Sequence, residues 1–250
     1  MPINIKTPQE IQAMREGGRI LGQCLKELKD LAKPGISTYD LDQYAEKFIR
    51  ENGGIPSFKG YHGFPATLCT DIDHVVVHGI PTPTEILKDG DLIAIDCGVI
   101  YKGLHTDSTV LVGVGNISKE KHRIIIAAEE VLSKAIDTIK AGIHVGDISK
   151  VIEHAIREHG YSPVEELTGH GVGHKLHEEP LVPNQYEGAG AILKAGMTLA
   201  IEPIFAVGSP KILTLQDKWT IVTKDHSYAA QIEHTILVTE TGCEILTPRD

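Results

Sequence analysis

The sequence predicts an α+β fold, a curved antiparallel sheet backed by helices and assembled from two related halves about a pseudo-twofold axis. Three observations predict it: the chain repeats itself once, its amphipathic helical segments come in pairs, and its β-branched runs come in hairpin-like groups. Residues 33–53 (KPGISTYDLDQYAEKFIRENG) and 140–160 (KAGIHVGDISKVIEHAIREHG) agree at 9 of 21 positions. Further along, LKDGDLIAID at 87–96 matches LKAGMTLAIE at 193–202, and DSTVLV at 107–112 matches EHTILV at 233–238. A looser echo pairs HGIP at 78–81 with HEEP at 177–180. A unit this long, occurring twice, describes two half-domains around one centre rather than a solenoid. The halves run over about 3–113 and 114–248 of a single domain spanning 1–250, and no linker rich in Pro, Ser or charge separates them.

The elements follow in order. Thr7-Pro8-Gln9-Glu10 reads as a capping box with proline in the first helical position, opening a helix that runs to about Ala32. A second helix covers 37–52 and closes on Gly53-Gly54. Strands are expected at 74–77, 92–100 and 105–112, with the last two joined by a turn at Tyr101-Lys102-Gly103. The second helix pair is expected over roughly 119–140 and 147–159, closed by Gly160. Strands at 198–207, 219–223 and 231–239 complete the second half.

Composition narrows the class. A hydrophobic content of 41% over 250 residues supports a substantial core. A formal net charge of -10 argues against binding to nucleic acid or to anionic membranes, both of which call for clustered Lys and Arg. Cys24, Cys69, Cys97 and Cys243 are scattered without a CxxC, so neither a disulfide framework nor a thiolate zinc site is expected. The first residues carry no apolar leader and no run has the length of a membrane span, so a cytoplasmic location is expected.

Two acids stand inside runs that otherwise read as buried strand: Asp96 in LIAIDCGV and Glu202 in MTLAIEPIF. An ionised carboxylate is too costly to hold out of water unless a cation or several donors compensate it, and a metal is the natural compensation. The repeat superposes Asp96 on Glu202 and Asp107 on Glu233. A lone acid on a strand ordinarily lies on an exposed polar face, but four acids matched across a repeat, two within apolar runs, reverse that reading. His170 and His174 lie in TGHGVGH, whose glycines suit a loop or short strand, so they do not form a helical zinc pair; one of them is a candidate ligand, and spacing does not choose between them. His105 shares a strand face with Asp107 by two-residue alternation, which suits a supporting role beside a ligand. Apart from that supporting role for His105, the histidines at 62, 74, 105, 122, 144, 154, 159, 226 and 234 read as surface or satisfied core residues. Four carboxylates and one imidazole make a hard, oxygen-rich set suited to two divalent ions (Mn, Fe, Co or Zn), which can turn water into a nucleophile without a serine or cysteine.

The segments HGIP at 78–81, IDCGV at 95–99, HTDST at 105–109, GHGVGHKLHEEP at 169–180, AIEPIF at 200–205 and IEHTILVT at 232–239 strongly resemble the methionine aminopeptidases. The similarity runs over residues 3–248. It implies the pita-bread fold and a metalloexopeptidase holding two divalent metal ions through Asp96, Asp107, His170, Glu202 and Glu233. Glu202 is thereby expected to act as general base, His177 to stabilise the oxyanion, and His78 to contact the scissile amide nitrogen. The implied substrates are peptides and nascent polypeptides that begin with methionine followed by a small residue, such as the chain's own Met1-Pro2. The implied methionine pocket is Phe58, Tyr61, His62, Phe64, Cys69, Leu176 and Trp219; relatives commonly carry Cys, Tyr and Phe in place of Phe58, Phe64 and Leu176. With 31 positions from Glu202 to Glu233 there is no room for the helical insertion of the second type, and a zinc-binding N-terminal extension is not expected. The resemblance is therefore to the type I, bacterial kind, a monomer by family default that would work in transient proximity to the ribosome. A proline-specific aminopeptidase or prolidase on the same fold, and a non-catalytic binding module, are the alternatives. The proline-specific enzymes usually carry an additional N-terminal domain, which is not expected here, and the complete ligand set and both auxiliary histidines argue against the binding module.

Overall fold

In the computed structural model, residues 3–249 are described, and Met1, Pro2 and Asp250 lie outside them. Helix α1 (Pro8–Leu31) opens on the expected capping box: the Thr7 N–H donates to Glu10 Oε2 at 2.7 Å and the Glu10 N–H to Thr7 Oγ1 at 3.3 Å. Ser37 and Asp40 form the same motif ahead of α2 (Thr38–Glu51). Helices α3 (Lys119–Thr138) and α4 (Val145–Glu158) are the second pair. The start of α4 lies ahead of the expected 147 because Asp147 is the third residue of a capping box, its carboxylate accepting the His144 N–H at 3.0 Å.

The first half contributes β1 (Ile55–Pro56), β2 (Leu68–Ile72), β3 (Val75–Val77), β4 (Leu92–Tyr101) and β5 (Leu104–Gly113). The second contributes β6 (Ser162–Pro163), β7 (Thr168–Gly171), β8 (Glu178–Pro183), β9 (Thr198–Ile201) and β10 (Ile204–Ala206), then β11 (Ile212–Thr214), β12 (Ile221–Thr223), β13 (Ala229–Gln231), β14 (Glu233–Val238) and β15 (Cys243–Ile245). Nine strands form one antiparallel sheet in the order β1-β4-β5-β14-β9-β7-β8, with β2 also on β4 and β15 also on β14. Between β4 and β5 the two-residue turn has Lys102 at φ 51° and Gly103 at φ 81°, the left-handed pair a tight hairpin requires.

The expected strands 198–207 and 231–239 are each broken in two. Pro203, which has no N–H to give a ladder, follows Glu202, and there the chain leaves the large sheet for a small one ordered β13-β10-β6. It re-enters the large sheet at Glu233. Both breaks thus fall at the acids singled out above. A further small sheet, β11-β12-β3, brings Trp219 and His78 to one side of the molecule.

Side-chain alternation divides the core. Ile93, Ile95, Cys97 and Val99 of β4 pack with Leu21, Leu25 and Leu28 of α1 and with Leu41, Ala45 and Ile49 of α2. Asp96, of opposite parity, points away from that cluster. The counterpart cluster joins Ile124 and Val131 of α3 and Ile148 and Ile152 of α4 to Leu199, Ile201 and Ile236. The first helix pair backs strands of its own half, while the second cluster also takes in Leu92, Ala94 and Leu111 of the first half. The backbone after β15 runs close beside α1: a Cβ at Gly18 would sit 1.9 Å from Leu246 O, and one at Gly22 1.8 Å from Pro248 O.

One buried ion pair ties the N-terminal segment to the second half. Lys6 Nζ donates to Glu178 Oε2 at 2.6 Å, and both side chains are less than 5% exposed, at 1% and 4%. Burial works against the charge on Glu178, but the Lys6 ammonium and the Lys175 N–H outweigh it and hold the carboxyl below its ordinary range. Lys6→Met should lower unfolding free energy by about 3–5 kcal/mol because it strands the carboxylate. The Lys6→Met/Glu178→Met double variant should recover much of that loss in urea unfolding, whereas equal destabilisation of single and double variants would contradict the pairing.

Candidate metal centre and substrate cavity

The five candidate ligands come from both halves and converge at the seam where β5 pairs with β14. Asp96 on β4 lies opposite Thr109, and Asp107 on β5 lies opposite Gly98. Glu233 opens β14 opposite Thr109. His170 on β7 pairs with Ala200 on β9, and Glu202 follows two residues later. All five are buried.

One ligand atom each of Asp107, His170 and Glu233 lie within 4.8 Å of one another. Asp96 and Glu202 flank this trio. Thr109 Oγ1 is 2.9 Å from Asp96 Oδ1 and 3.1 Å from Glu233 Oε2, and His170 Nε2 is 3.4 Å from Glu202 Oε1. The Thr109 hydroxyl has one proton to share between two carboxyl groups. Asp107 Oδ1 and Glu233 Oε1 are buried without a hydrogen-bond partner among the described residues.

Those orphaned oxygens are acceptors that a cation would satisfy. Burial raises the pKa of Asp107, and the nearby Glu233, Asp96 and Glu202 carboxyls raise it further. Burial likewise lifts Glu202 and Glu233 well above the carboxylate range, with their acidic neighbours adding to the effect, and it brings Asp96 to about 7. Without a cation the cluster must take up protons. The His170 Nδ1 lies 2.9 Å from Gly171 O, which fixes the proton on Nδ1 and leaves the Nε2 lone pair facing the acids; burial holds its pKa down at about 3. Hard oxygens, one neutral imidazole and unsatisfied acceptors fit divalent metal ions.

The same residues floor a cavity of about 310 Å3 walled by Phe58, Tyr61, Phe64, Cys69, His78, Leu176, His177 and Trp219. Phe64 meets Trp219 edge to face at 5.1 Å. The Tyr61 hydroxyl is 2.9 Å from His177 Nδ1, and the His177 and His170 rings lie 4.4 Å apart. His78 sits at φ 61°, a left-handed backbone, with the following Gly79 N–H donated to buried Asp71 at 2.7 Å. Burial lowers both histidines, His78 to about 4, so both are neutral near pH 7.

Several expected placements differ. His62 is exposed, stacks edgewise on Tyr61 at 4.4 Å, and does not line the cavity. His174 pairs with Glu10 at 2.6 Å on the surface, which leaves His170 as the inward histidine. His105 lies 2.5 Å from Ser57 Oγ and supports no acid of the cluster directly. Residues that sequence reasoning passed over also take part. Thr109 bridges two acids, and Gln231 Nε2 donates to Glu202 Oε2 at 3.3 Å. Thr109 could have been found from its two-residue spacing to Asp107 on one strand face; Gln231 carries no such signal.

Comparison with known proteins agrees with this geometry. The model of metallopeptidase family M24 matches residues 12–240. The chain is 47% identical over 243 residues to methionine aminopeptidase 1 of Bacillus subtilis, covering 97% of this chain and 98% of that protein. It is 46% identical over 246 residues to a methionine aminopeptidase of Clostridium perfringens, covering 98% of each. The crystal structure of a methionine aminopeptidase from Thermotoga maritima superposes with a TM-score of 0.97 at 39% identity, over 99% of this chain and 100% of that one. A prolidase from Pyrococcus furiosus, 24% identical, shares the fold at a TM-score of 0.79 over 98% of this chain and 66% of its own.

The raised carboxyl pKa values fix a sign. A carboxyl raised in the folded, metal-free protein stabilises that form at low pH, and the contribution is lost as pH rises through its folded value, about 7 for Asp96. Metal must displace these protons. Affinity for Mn2+ should therefore fall as pH drops from about 8 to about 6, by on the order of tenfold per pH unit for each proton displaced. Competition with a chelating dye at several pH values measures it, and a pH-independent affinity would contradict the protonated cluster.

Proposed function

The chain belongs to metallopeptidase family M24, and from that premise we propose that it removes the initiator methionine from nascent proteins and peptides whose second residue is small. It is a dinuclear, metal-dependent methionyl aminopeptidase on the pita-bread fold. The observation that carries this reading is the close-set trio Asp107, His170 and Glu233 at the floor of an otherwise largely apolar cavity. The whole chain acts as one catalytic unit made of two repeated halves.

Asp96, Asp107, His170, Glu202 and Glu233 would hold the two divalent ions. When bound, these supply Lewis acidity that brings a water pKa toward neutrality and offers a place to a free amino terminus, which an internal peptide lacks. Glu202, tethered by Gln231, takes the proton of the attacking water. Tyr61, whose pKa burial raises, keeps its hydroxyl proton and donates it to His177 Nδ1. His177 then carries its own proton on Nε2 and donates it to the carbonyl oxygen as negative charge develops there. Neutral His78 is available to the scissile amide nitrogen. Phe58, Phe64, Cys69, Leu176 and Trp219 surround the thioether side chain, a soft apolar group that such walls suit. The small second residue follows from crowding by His78 and its adjoining loop at the cavity mouth.

Among the described residues no helix is long and apolar enough to cross a membrane. The reading extends to a monomer that works in the cytoplasm in transient proximity to the ribosome, on nascent chains as they emerge.

Met-Ala-Ser should be cleaved far faster than Met-Lys-Ser, with all turnover lost to a chelator and regained with Mn2+ or Co2+. Near-equal kcat/KM for the two peptides would remove the narrow-mouth argument, and full activity without metal would remove the two-metal reading. His177→Ala should retain metal while kcat falls by roughly 10²–10³, the scale of a lost oxyanion donor. Normal turnover in that variant would exclude its assigned role.

A further inference from the structure

We infer that Arg249 is a positioning residue for the metal centre, a clamp that holds together the strands of the two halves at the point where Glu233 meets Thr109. The β5–β14 pairing is recorded for two residue pairs, Glu233 with Thr109 and His234 with Ser108. At that short seam Arg249 Nη1 donates to Thr109 O at 2.7 Å and Nη2 donates to Glu233 O at 2.8 Å. One planar guanidinium thus holds the carbonyls of facing residues, one from each half. The side chains of those same residues build the site: Thr109 Oγ1 lies between Asp96 and Glu233, and Glu233 is a candidate ligand.

The clamp is itself held in place. Arg249 Nη2 lies 2.7 Å from His234 Nε2, and His234 Nδ1 lies 2.9 Å from Thr247 Oγ1. With Arg249 donating to Nε2, the imidazole proton sits on Nδ1 and is given to Thr247. Thr247 Oγ1 also accepts the Thr235 N–H at 3.2 Å, and Thr235 Oγ1 accepts the Asp107 N–H at 2.9 Å. The segment 246–249 is therefore connected to the backbone of three residues at the seam: Asp107, Thr109 and Glu233. Gly22 of α1 makes room for it, since any Cβ there would strike Pro248 O. Arg249 lines a separate cavity of about 570 Å3 beside Leu25, Leu132 and Ile136 and does not reach the substrate cavity, so its action runs through the strands and not through substrate. A guanidinium suits this task because its fixed fork spans two acceptors at once, which an ammonium does not.

The inference rests on the two-metal reading above, and the experiment separates them. Mn2+ binding is followed by the EPR signal of free Mn2+ in wild type, Arg249→Lys and Arg249→Ala. If wild type binds no Mn2+, the two-metal reading fails. If wild type binds, Arg249→Lys, which keeps the charge and most of the volume, should bind about tenfold more weakly, the scale on which partners behind metal ligands act. Arg249→Ala should lose at least as much, and millimolar guanidinium chloride should restore much of its affinity by occupying the vacated place. Binding by Arg249→Lys within about twofold of wild type, or a loss in Arg249→Ala that guanidinium leaves unchanged, would overturn the clamp.

Discussion

Four carboxyl groups from two halves of one chain are buried against each other, and the rest of the molecule is arranged around that repulsion. Desolvation raises all four pKa values, acidic neighbours add to it at Asp107, Glu202 and Glu233, and hydrogen bonds such as those from Thr109 and Gln231 do not offset it. Two oxygens of the cluster, Asp107 Oδ1 and Glu233 Oε1, are buried with no hydrogen-bond partner among the described residues. Such a cluster is held together by the sheet, whose ladders fix each acid before any ion arrives. Divalent cations held there would replace the protons and compensate the buried charge.

The architecture answers to that demand. Alternation along β4 buries Ile95 and Cys97 against α1 and α2 and turns Asp96 the other way, onto the face where Leu92 and Ala94 join the cluster of Ile124 and Val131 of α3. The second half does the same with Leu199 and Ile201 ahead of Glu202. Because β9 and β14 both end or begin at a ligand, the chain can leave for the small sheets there and wall the substrate cavity with β3 and Trp219. Neutral histidines line that cavity for the reason the acids are protonated: burial disfavours charge of either sign, and what remains on His78 and His177 is the ability to donate a proton at a defined nitrogen.

Much of this could be read in the sequence, for identifiable reasons. Asp96 and Glu202 stood out because their neighbours are apolar, and the repeat carried the inference to Asp107 and Glu233. The helices were legible through their caps, with the start of α4 displaced because Asp147 closes its capping box instead of opening it. His170 was not separable from His174 by spacing, since a loop or short strand leaves the side-chain directions open; in the fold one faces the acids and the other pairs with Glu10 on the surface. The breaks at Pro203 and Ile232 were missed because runs of β-branched residues look continuous in one dimension, whereas the sheet to which each segment belongs is a tertiary choice. His62 took its expected place from resemblance alone and proved to face solvent. Gln231 and Arg249 act through partners that lie far off in sequence or on another strand, where no local pattern marks them, whereas Thr109 was legible from its two-residue spacing to Asp107.

On the two-metal reading the buried acids hold two cations through ligands supplied jointly by the two halves. The most direct test is an anomalous-difference map from crystals of the protein loaded with Mn2+ and measured above the manganese absorption edge. Two peaks roughly 3.5–4 Å apart, bounded by Asp96, Asp107, His170, Glu202 and Glu233, are predicted. A saturated crystal with no ion among these residues, or with an ion held by the acids of one half alone, would contradict it.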